Sequence, residues 1–557
     1  MSVEADAFDH VVVGAGTAGC LLANRLIADG RRTVCLLEAG PPDDSIFLRI
    51  PAGVYKASSD PKYAWQFETE PNPATANRSI PMPQGKTLGG STAINGMNYN
   101  RGCPDDFDGW AQRGNRGWSY AELLPYFKRT ERRVGIHDSR YRGSDGLLPI
   151  TDSDWRHPLC DAFIEAASSF GLPRNPDYNG ASQAGVGYYQ RYIENGWRFS
   201  AARAFVRPIA NNPNLEIRTR SQATRVLFEG RRAIGVRYME RPGSSAREVR
   251  ARREVILCAG AANTPKLLQI SGVGRPALLA DLGVSVAHEL PGVGANLQDH
   301  YMVHLVVQVK GIETISGHGL ALLREGVKWV FGRPSILAIS PSLVFGFVNS
   351  RDLYSTPDIQ LDFAIGNYSN RLLERVPVIK LGFYQLRPKS IGFVRARSAN
   401  PFCAPIIQPN YLAHEQDRRV AVDSIMTLRR VLPALGSYYG VEELPGPSVT
   451  NESDCLEFAR EAGLTAYHLC GTCRMGPRSD PASVVDDELR VHGIDGLRVA
   501  DASIMPTAPS ANTSAAVFMI AEKASDMILG RQALPAADLG PLARSQYPSE
   551  LSQSRMH

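Results

Sequence analysis

The stretch FDHVVVGAGTAGCLLANRLIADGRRTVCLLEAG, from Phe8 to Gly40, restricts what this chain can fold into more than any other. Val11 to Val13 make an unbroken apolar run, the pattern of a strand covered on both faces, and such strands belong to parallel sheets. Gly14, Gly16 and Gly19 follow at G-x-G-x-x-G spacing. A helical pattern then carries Ala18, Leu22 and Leu26 on one face and stops near Gly30, and a second apolar strand, Thr33 to Leu37, ends in Glu38. In that setting Gly14 turns the chain tightly, Gly16 lets the backbone approach a pyrophosphate, and Gly19 lets the helix lie close to the strand. The phosphate faces the helix N-terminus. Glu38 is placed to accept hydrogen bonds from an adenosine ribose, and a carboxylate there disfavours the extra phosphate of NADP. The segment predicts a dinucleotide site but does not choose between FAD and NAD.

The rest of the chain sets the scale. At 557 residues two domains are expected, and a net charge of +5 with no block of like charges gives no reason to invoke nucleic acid or a polybasic membrane anchor. Nine scattered cysteines form no disulfide framework, so a reducing compartment fits. MSVEADAFDH lacks a basic start and an apolar stretch, and no apolar run reaches the length that spans a bilayer. A cytoplasmic protein is expected, although a peripheral membrane contact would leave no clear mark.

Two further regions carry chemistry. Residues 84–102, QGKTLGGSTAINGMNYNRG, are too polar for a core element, and Gly89-Gly90 followed by Ser91 and Thr92 can open a helix whose free amides face an anion or a ring carbonyl. Just beyond, Ser119 and Glu122 form a capping box for the helix AELLPYFKRTE. Near the other end, residues 467–476 read YHLCGTCRMG and residues 496–526 read GLRVADASIMPTAPSANTSAAVFMIAEKASD. Leu497 to Ala500 look like a strand ending at Asp501, and the run from Thr513 has the small and apolar pattern of a buried helix returning to the nucleotide sheet.

With PGVGANLQDH at 291–300, these segments together resemble the glucose–methanol–choline (GMC) flavoprotein oxidoreductases over about residues 8 to 530. The resemblance implies an α/β fold: a Rossmann-like FAD-binding domain built from discontinuous segments, and a substrate domain whose antiparallel sheet, flanked by helices, covers the flavin ring. The expected boundaries are 1–155, 199–304 and 461–535 for the first, 156–198 and 305–460 for the second, and 536–557 for a flexible tail. HLVVQVKG, SLVFGFVNS, DIQLDFAIGN and VIKLGFYQL read as its strands, and EQDRRVAVDSIMTLRRVL as a helix packed on them.

The resemblance also implies residue roles. FAD is expected against Gly14, Gly16, Thr17, Ala18, Gly19, Glu38 and Ala39 in the first segment, and against Gly89, Gly90, Ser91, Asn95, Gly96 and Met97 in the second. Further contacts are expected from Val226, Ala259, Gly260, Asp501, Ala502, Asn512 and Thr513. His468 matches the histidine of the H-x-x-G-T-x-x-M-G motif, and Asn512 a position held by His or Asn, so neutral His468 would take the alcohol proton as the carbinol hydride moves to flavin N5, with Asn512 orienting the oxygen. Asn512 also suits a helix N-cap.

His300, His304 and His492 read as structural hydrogen-bonding groups, and the Cys470/Cys473 pair lacks the four ligands of a metal site. Ile94 stands where some relatives bind FAD through a histidine, so the FAD is expected to be noncovalent. The implied substrate is a primary alcohol, aromatic or medium-chain aliphatic, with oxygen, a quinone or another acceptor reoxidising the flavin. Hydroxynitrile lyase or light-driven decarboxylase chemistry on the same fold, a NAD-dependent dehydrogenase and a non-enzymatic nucleotide-binding relative remain as alternatives.

Overall fold

The computed structural model describes residues 6–315, 319–351, 356–366 and 376–540; most of the expected tail, from 541 on, and Asn367 lie outside the described residues. In chain order the strands used below are β1 (Ala7–Val13), β2 (Val34–Leu37), β3 (Gly185–Tyr188), β4 (Leu215–Arg218), β5 (Gln222–Glu229), β6 (Arg232–Met239), β7 (Arg247–Leu257) and β8 (Tyr301–Val309). They continue with β9 (Val344–Val348), β10 (Ile359–Ile365), β11 (Val378–Gln385), β12 (Tyr439–Leu444), β13 (Leu464–Thr465) and β14 (Leu497–Val499). The helices are α1 (Thr17–Ile27), α2 (Tyr120–Thr130), α3 (Gly260–Ile270), α4 (Gly319–Val330), α5 (Glu415–Val431) and α6 (Ser514–Leu529).

The first sheet runs β4-β2-β1-β7-β6-β5, with β14 beside β7. Its β4, β2, β1, β7 and β14 are parallel, and Val11 sits between Cys35 and Val255, which explains why that strand is apolar on both faces. An antiparallel hairpin, β5 and β6, closes one edge. Helices α1, α2 and α6 pack together, and fully buried Glu522 on α6 receives Arg25 of α1 and Arg129 of α2, each at 2.7 Å. Arg25 and Arg129 thereby compensate a carboxylate that would be costly to bury alone. The expected capping box is present at the start of α2, where the Ser119 N–H donates to Glu122 Oε2 at 3.0 Å.

The second sheet is antiparallel throughout, in the order β12-β8-β11-β10-β9-β3, with β13 on β8. Val303, Leu305 and Val307 of β8 join Leu381 and Phe383 of β11 in a core shared with Ile425 and Leu428 of α5. Met302 and His304, at the alternating positions, face the other way into the cavity described below. The second sheet's ladder begins at Tyr301, where Leu464–Thr465 pairs with it. The Gly89-Gly90 pair opens only a four-residue 3-10 turn, Gly90–Ala93, because both glycines adopt positive φ and so break the helical path.

Candidate active site

A cavity of about 1440 Å³ lies between the carboxyl ends of the parallel strands and the inner face of the second sheet. Pockets for one small ligand are about 300–1,000 Å³, so this one has room for a large cofactor and a substrate together. Of the sequence-derived residues, Gly14, Gly16, Thr17, Ala18, Glu38, Ala39, Gly90, Ser91, Asn95, Gly96 and Met97 line it. So do Ala259, Gly260, His468, Asp501, Ala502, Asn512 and Thr513.

Three do not. Gly19 faces the helix–strand contact, where an added Cβ would lie 1.9 Å from the Gly14 carbonyl oxygen. Gly89 is spent on loop geometry, its N–H donating to Ala15 O at 2.8 Å. Val226 is a correction: its side chain is buried in the first sheet's core and its N–H is taken by Ser271 Oγ at 2.9 Å. Three residues earlier on β5, Ala223 reaches the cavity with Ser221 and Gln222.

The two glycine loops meet. A Cβ on Gly90 would fall 2.6 Å from the Gly16 Cα, whereas a Cβ on Gly16 would find nothing in the protein nearer than 3.9 Å. Nothing in the protein itself crowds a side chain at 16, and the bare backbone there leaves room for a pyrophosphate to lie against it. Glu38, at the end of β2, accepts from the N–H groups of Ala15 at 3.0 Å and Gly40 at 2.8 Å, and burial pushes its carboxyl up to about 7. Asp501 ties β14 to the start of α3, accepting from Gly260 N at 2.8 Å and Thr264 Oγ1 at 2.6 Å. The residues present thus fit a dinucleotide running from Glu38 past Gly16 and Gly90 towards His468.

At the far end stands a histidine pair. Buried Asp299 accepts backbone N–H groups from His300 at 2.9 Å and His468 at 2.7 Å, and its other oxygen receives Thr465 Oγ1 at 2.6 Å and the Tyr411 hydroxyl. One carboxylate therefore holds both backbones in place, although burial pushes it up to about 6. His300 Nε2 faces the Leu386 carbonyl at 3.1 Å, and a carbonyl only accepts, so Nε2 carries the His300 proton. Nδ1 of neutral His300 is then a lone pair, 2.9 Å from His468 Nδ1, which must be the donor.

That leaves His468 Nε2 as a lone pair. Asn512 agrees independently: its Oδ1 accepts from Gln360 Nε2 at 3.2 Å and from Asn100 Nδ2, so its NH₂ is the group 3.0 Å from His468 Nε2. Burial lowers His300 to about 4 and, with His300 beside it, puts His468 well below the ordinary imidazole range; both are neutral at pH 7. The residue before α6 is Thr513, so the Asn512 side chain is free of the capping role and points at the histidine.

His300 is hydrogen-bonded, as expected, but its partner is His468 itself. His492 contacts the Gly476 carbonyl at 3.1 Å, while His304 lines the cavity. Asp299, Gln360 and Asn100 are additional members of the site; Asp299 lies in the PGVGANLQDH segment and Asn100 in the 84–102 segment, whereas Gln360 sits on a strand with no such signal. Cys470 and Cys473 are separate buried thiols, and no cluster able to hold a metal exists among the described residues.

The GMC oxidoreductase family model matches in two parts, an N-terminal one at residues 8–302 and a C-terminal one at 388–521. An oxygen-dependent choline dehydrogenase of Escherichia coli is 42% identical over 97% of this chain and 99% of its own. An alcohol dehydrogenase [acceptor] of Pseudomonas putida is 39% identical, over 95% and 97%. The crystal structure of pyridoxine 4-oxidase from Mesorbium loti superposes with a TM-score of 0.85 at 31% identity, covering 94% of this chain and 99% of that one. Two glycine loops on one cavity, a neutral histidine at its far end and these full-length likenesses agree: the chain belongs to the glucose–methanol–choline oxidoreductases.

Proposed function

We propose that this protein oxidises a primary alcohol to an aldehyde, with His468 Nε2 as the proton acceptor and noncovalent FAD held by the glycine loops. The observation that carries the reading is the lone pair on His468 Nε2, opposed to the Asn512 amide inside the cavity that Gly16, Gly90 and Glu38 share. A substrate hydroxyl that displaces this direct 3.0 Å contact would donate to His468 Nε2 and accept from the Asn512 amide, as the leaving proton requires. Bound FAD supplies the hydride acceptor. After proton transfer the imidazolium is stabilised by the alkoxide it has produced, and Asn512 holds the oxygen oriented. The two sheets mark the proposed domains, with the boundary near residues 300 and 466. Oxygen, a quinone or another carrier serves as the final acceptor.

Ile94 lines the cavity in the loop after the glycine pair, and its side chain cannot form a bond to the ring. Ile336, Leu337 and Ile339 line the substrate side, which favours an aromatic or medium-chain aliphatic alcohol. A second reading, a cationic alcohol, is favoured by Asp362, whose carboxylate is on the cavity wall and receives the Tyr189 hydroxyl. Purified protein is expected to be yellow, to release its colour into the supernatant on acid precipitation, and to bleach when a primary alcohol is added without air. A panel of benzyl alcohol, 1-hexanol and choline separates the two substrate readings, and an unbleached flavin with every alcohol overturns both.

His300 acts through His468. Replacing it by Leu removes the acceptor that keeps the His468 proton on Nδ1, and losing a buried hydrogen bond of about 1–3 kcal/mol predicts a ten- to hundredfold slower alcohol-dependent bleaching. His300→Gln keeps an acceptor oxygen and a donor for Leu386, and is expected to restore most of the rate. Equal losses in both variants, or unchanged rates, would reduce His300 to a packing role.

A further inference from the structure

We infer that this protein docks on the surface of an anionic lipid bilayer through one face of α4, with the mouth of the catalytic cavity turned towards the lipid. The sequence of α4 and its exit, GLALLREGVKWVF, places Leu320, Leu323, Val327, Val330 and Phe331 along one side of the helix. Among the described residues that side has no cover. Leu320 is 85% exposed, Phe331 76%, Val330 72% and Leu323 65%. Single exposed apolar residues are ordinary, but a row of large ones along one helix face marks an interaction surface.

The opposite side of the helix is anchored. Trp329 packs on Trp197 with ring centroids 4.5 Å apart and donates its Nε1–H to Gly196 O at 2.8 Å, while Leu322 lines the catalytic cavity. The rim continues the apolar surface. The 3-10 turn Ile336–Ala338 contacts both α4 and the turn Pro51–Gly53, whose neighbours Phe47 and Tyr55 are also exposed.

Charge selects the occupant. Arg324 and Arg333 are exposed beside the apolar row and have no carboxylate partner among the described residues. Arg203 lies over Trp197 at 5.8 Å, close enough to Arg49 and Arg207 for their charges to act on it, and Lys56 stands at the cavity mouth. Carboxylates are present but engaged: Asp43 pairs with Arg207, Asp44 with Arg49 and Glu325 with Lys328. An apolar helix face bordered by arginines without carboxylate partners is the composition of an interfacial helix on anionic headgroups. No helix among the described residues is long and apolar enough to cross a membrane, so the contact lies in the interface.

The test is flotation of the FAD-loaded full chain with phosphatidylcholine vesicles, with and without phosphatidylglycerol. The wild type is expected to float with the anionic vesicles and much less with the neutral ones. Leu323→Glu with Val327→Glu is expected to weaken binding tenfold or more, since each side chain leaves the interface, and Arg324→Gln with Arg333→Gln about fivefold per charge on anionic vesicles only. Oxidation of a water-soluble alcohol with a dye acceptor should be unchanged in both, which shows that they fold. Wild type that floats with neither vesicle overturns the proposal. So does a dimer in solution that the Leu323→Glu/Val327→Glu variant breaks, since a second copy would then cover this face.

Discussion

Replacing His468 by Ala is expected to slow alcohol oxidation about 10²- to 10⁴-fold, the contribution of a positioned base, while the protein stays yellow. Two features of the site make the loss large. The Asp299 carboxylate fixes the His468 backbone, and the His300 lone pair fixes its proton on Nδ1, so the His468 Nε2 lone pair is held facing the Asn512 amide. Flavin retention follows from distance along the cavity: the residues that fit the pyrophosphate are Gly16 and Gly90, on other loops. His468→Gln should be nearly as slow, because an amide can replace the hydrogen bond to Asn512 but cannot take a proton.

The same burial sets the sign of the pH response. Burial and the neighbouring His300 lower the His468 pKa, so the neutral form that accepts a proton persists as pH falls through about 6.5, where a free imidazole would already charge. The wild-type rate should be flat across that range. A full rate in His468→Ala would remove the histidine from the mechanism, and a wild-type acid limb centred on the ordinary imidazole value would overturn the lowered pKa.

What could be read in advance divides by the range of the interaction. The strand at Val11–Val13, the turn at Gly14 and the helix against it follow from local spacing, because Gly19 answers to the Gly14 oxygen within the motif and Gly14 to the Cys258 oxygen at the end of the neighbouring strand. The strands β8 to β11 were legible for the same reason, as alternation along one segment. Val226 comes only from the resemblance; no local pattern in β5 marks which residue faces the cavity, and the packing puts Ala223 there and Val226 in the first sheet's core.

The histidine relay was out of reach for a different reason. His300 and His468 are 168 residues apart, and their orientation is decided by the Leu386 carbonyl and the Gln360 and Asn100 amides, from three further regions. No periodicity within any of these segments reports on such a meeting. The uncovered face of α4 lies between the two limits: its apolar row is visible in the sequence, but a row of that kind is core or surface only once the packing on Trp329 shows which side is taken.

Gly90→Val is expected to abolish FAD retention and to lower the thermal midpoint. Gly90 has φ +53, and its Cβ would lie 2.6 Å from the Gly16 Cα, a backbone atom that cannot swing aside. The left-handed backbone alone costs a side chain about 1–2 kcal/mol. The collision adds more, and it can be relieved only by parting the two loops, which widens the cradle where the pyrophosphate would lie. A control separates these effects. Gly30, just after α1, has φ +70 but nothing within 4 Å of its Cβ, so Gly30→Ala carries the backbone strain without the collision. It should shift the midpoint by a few degrees at most and leave the protein yellow. If Gly90→Val retains its full complement of flavin, the two loops do not form one binding surface, and the path assigned to the cofactor from Glu38 to His468 is wrong.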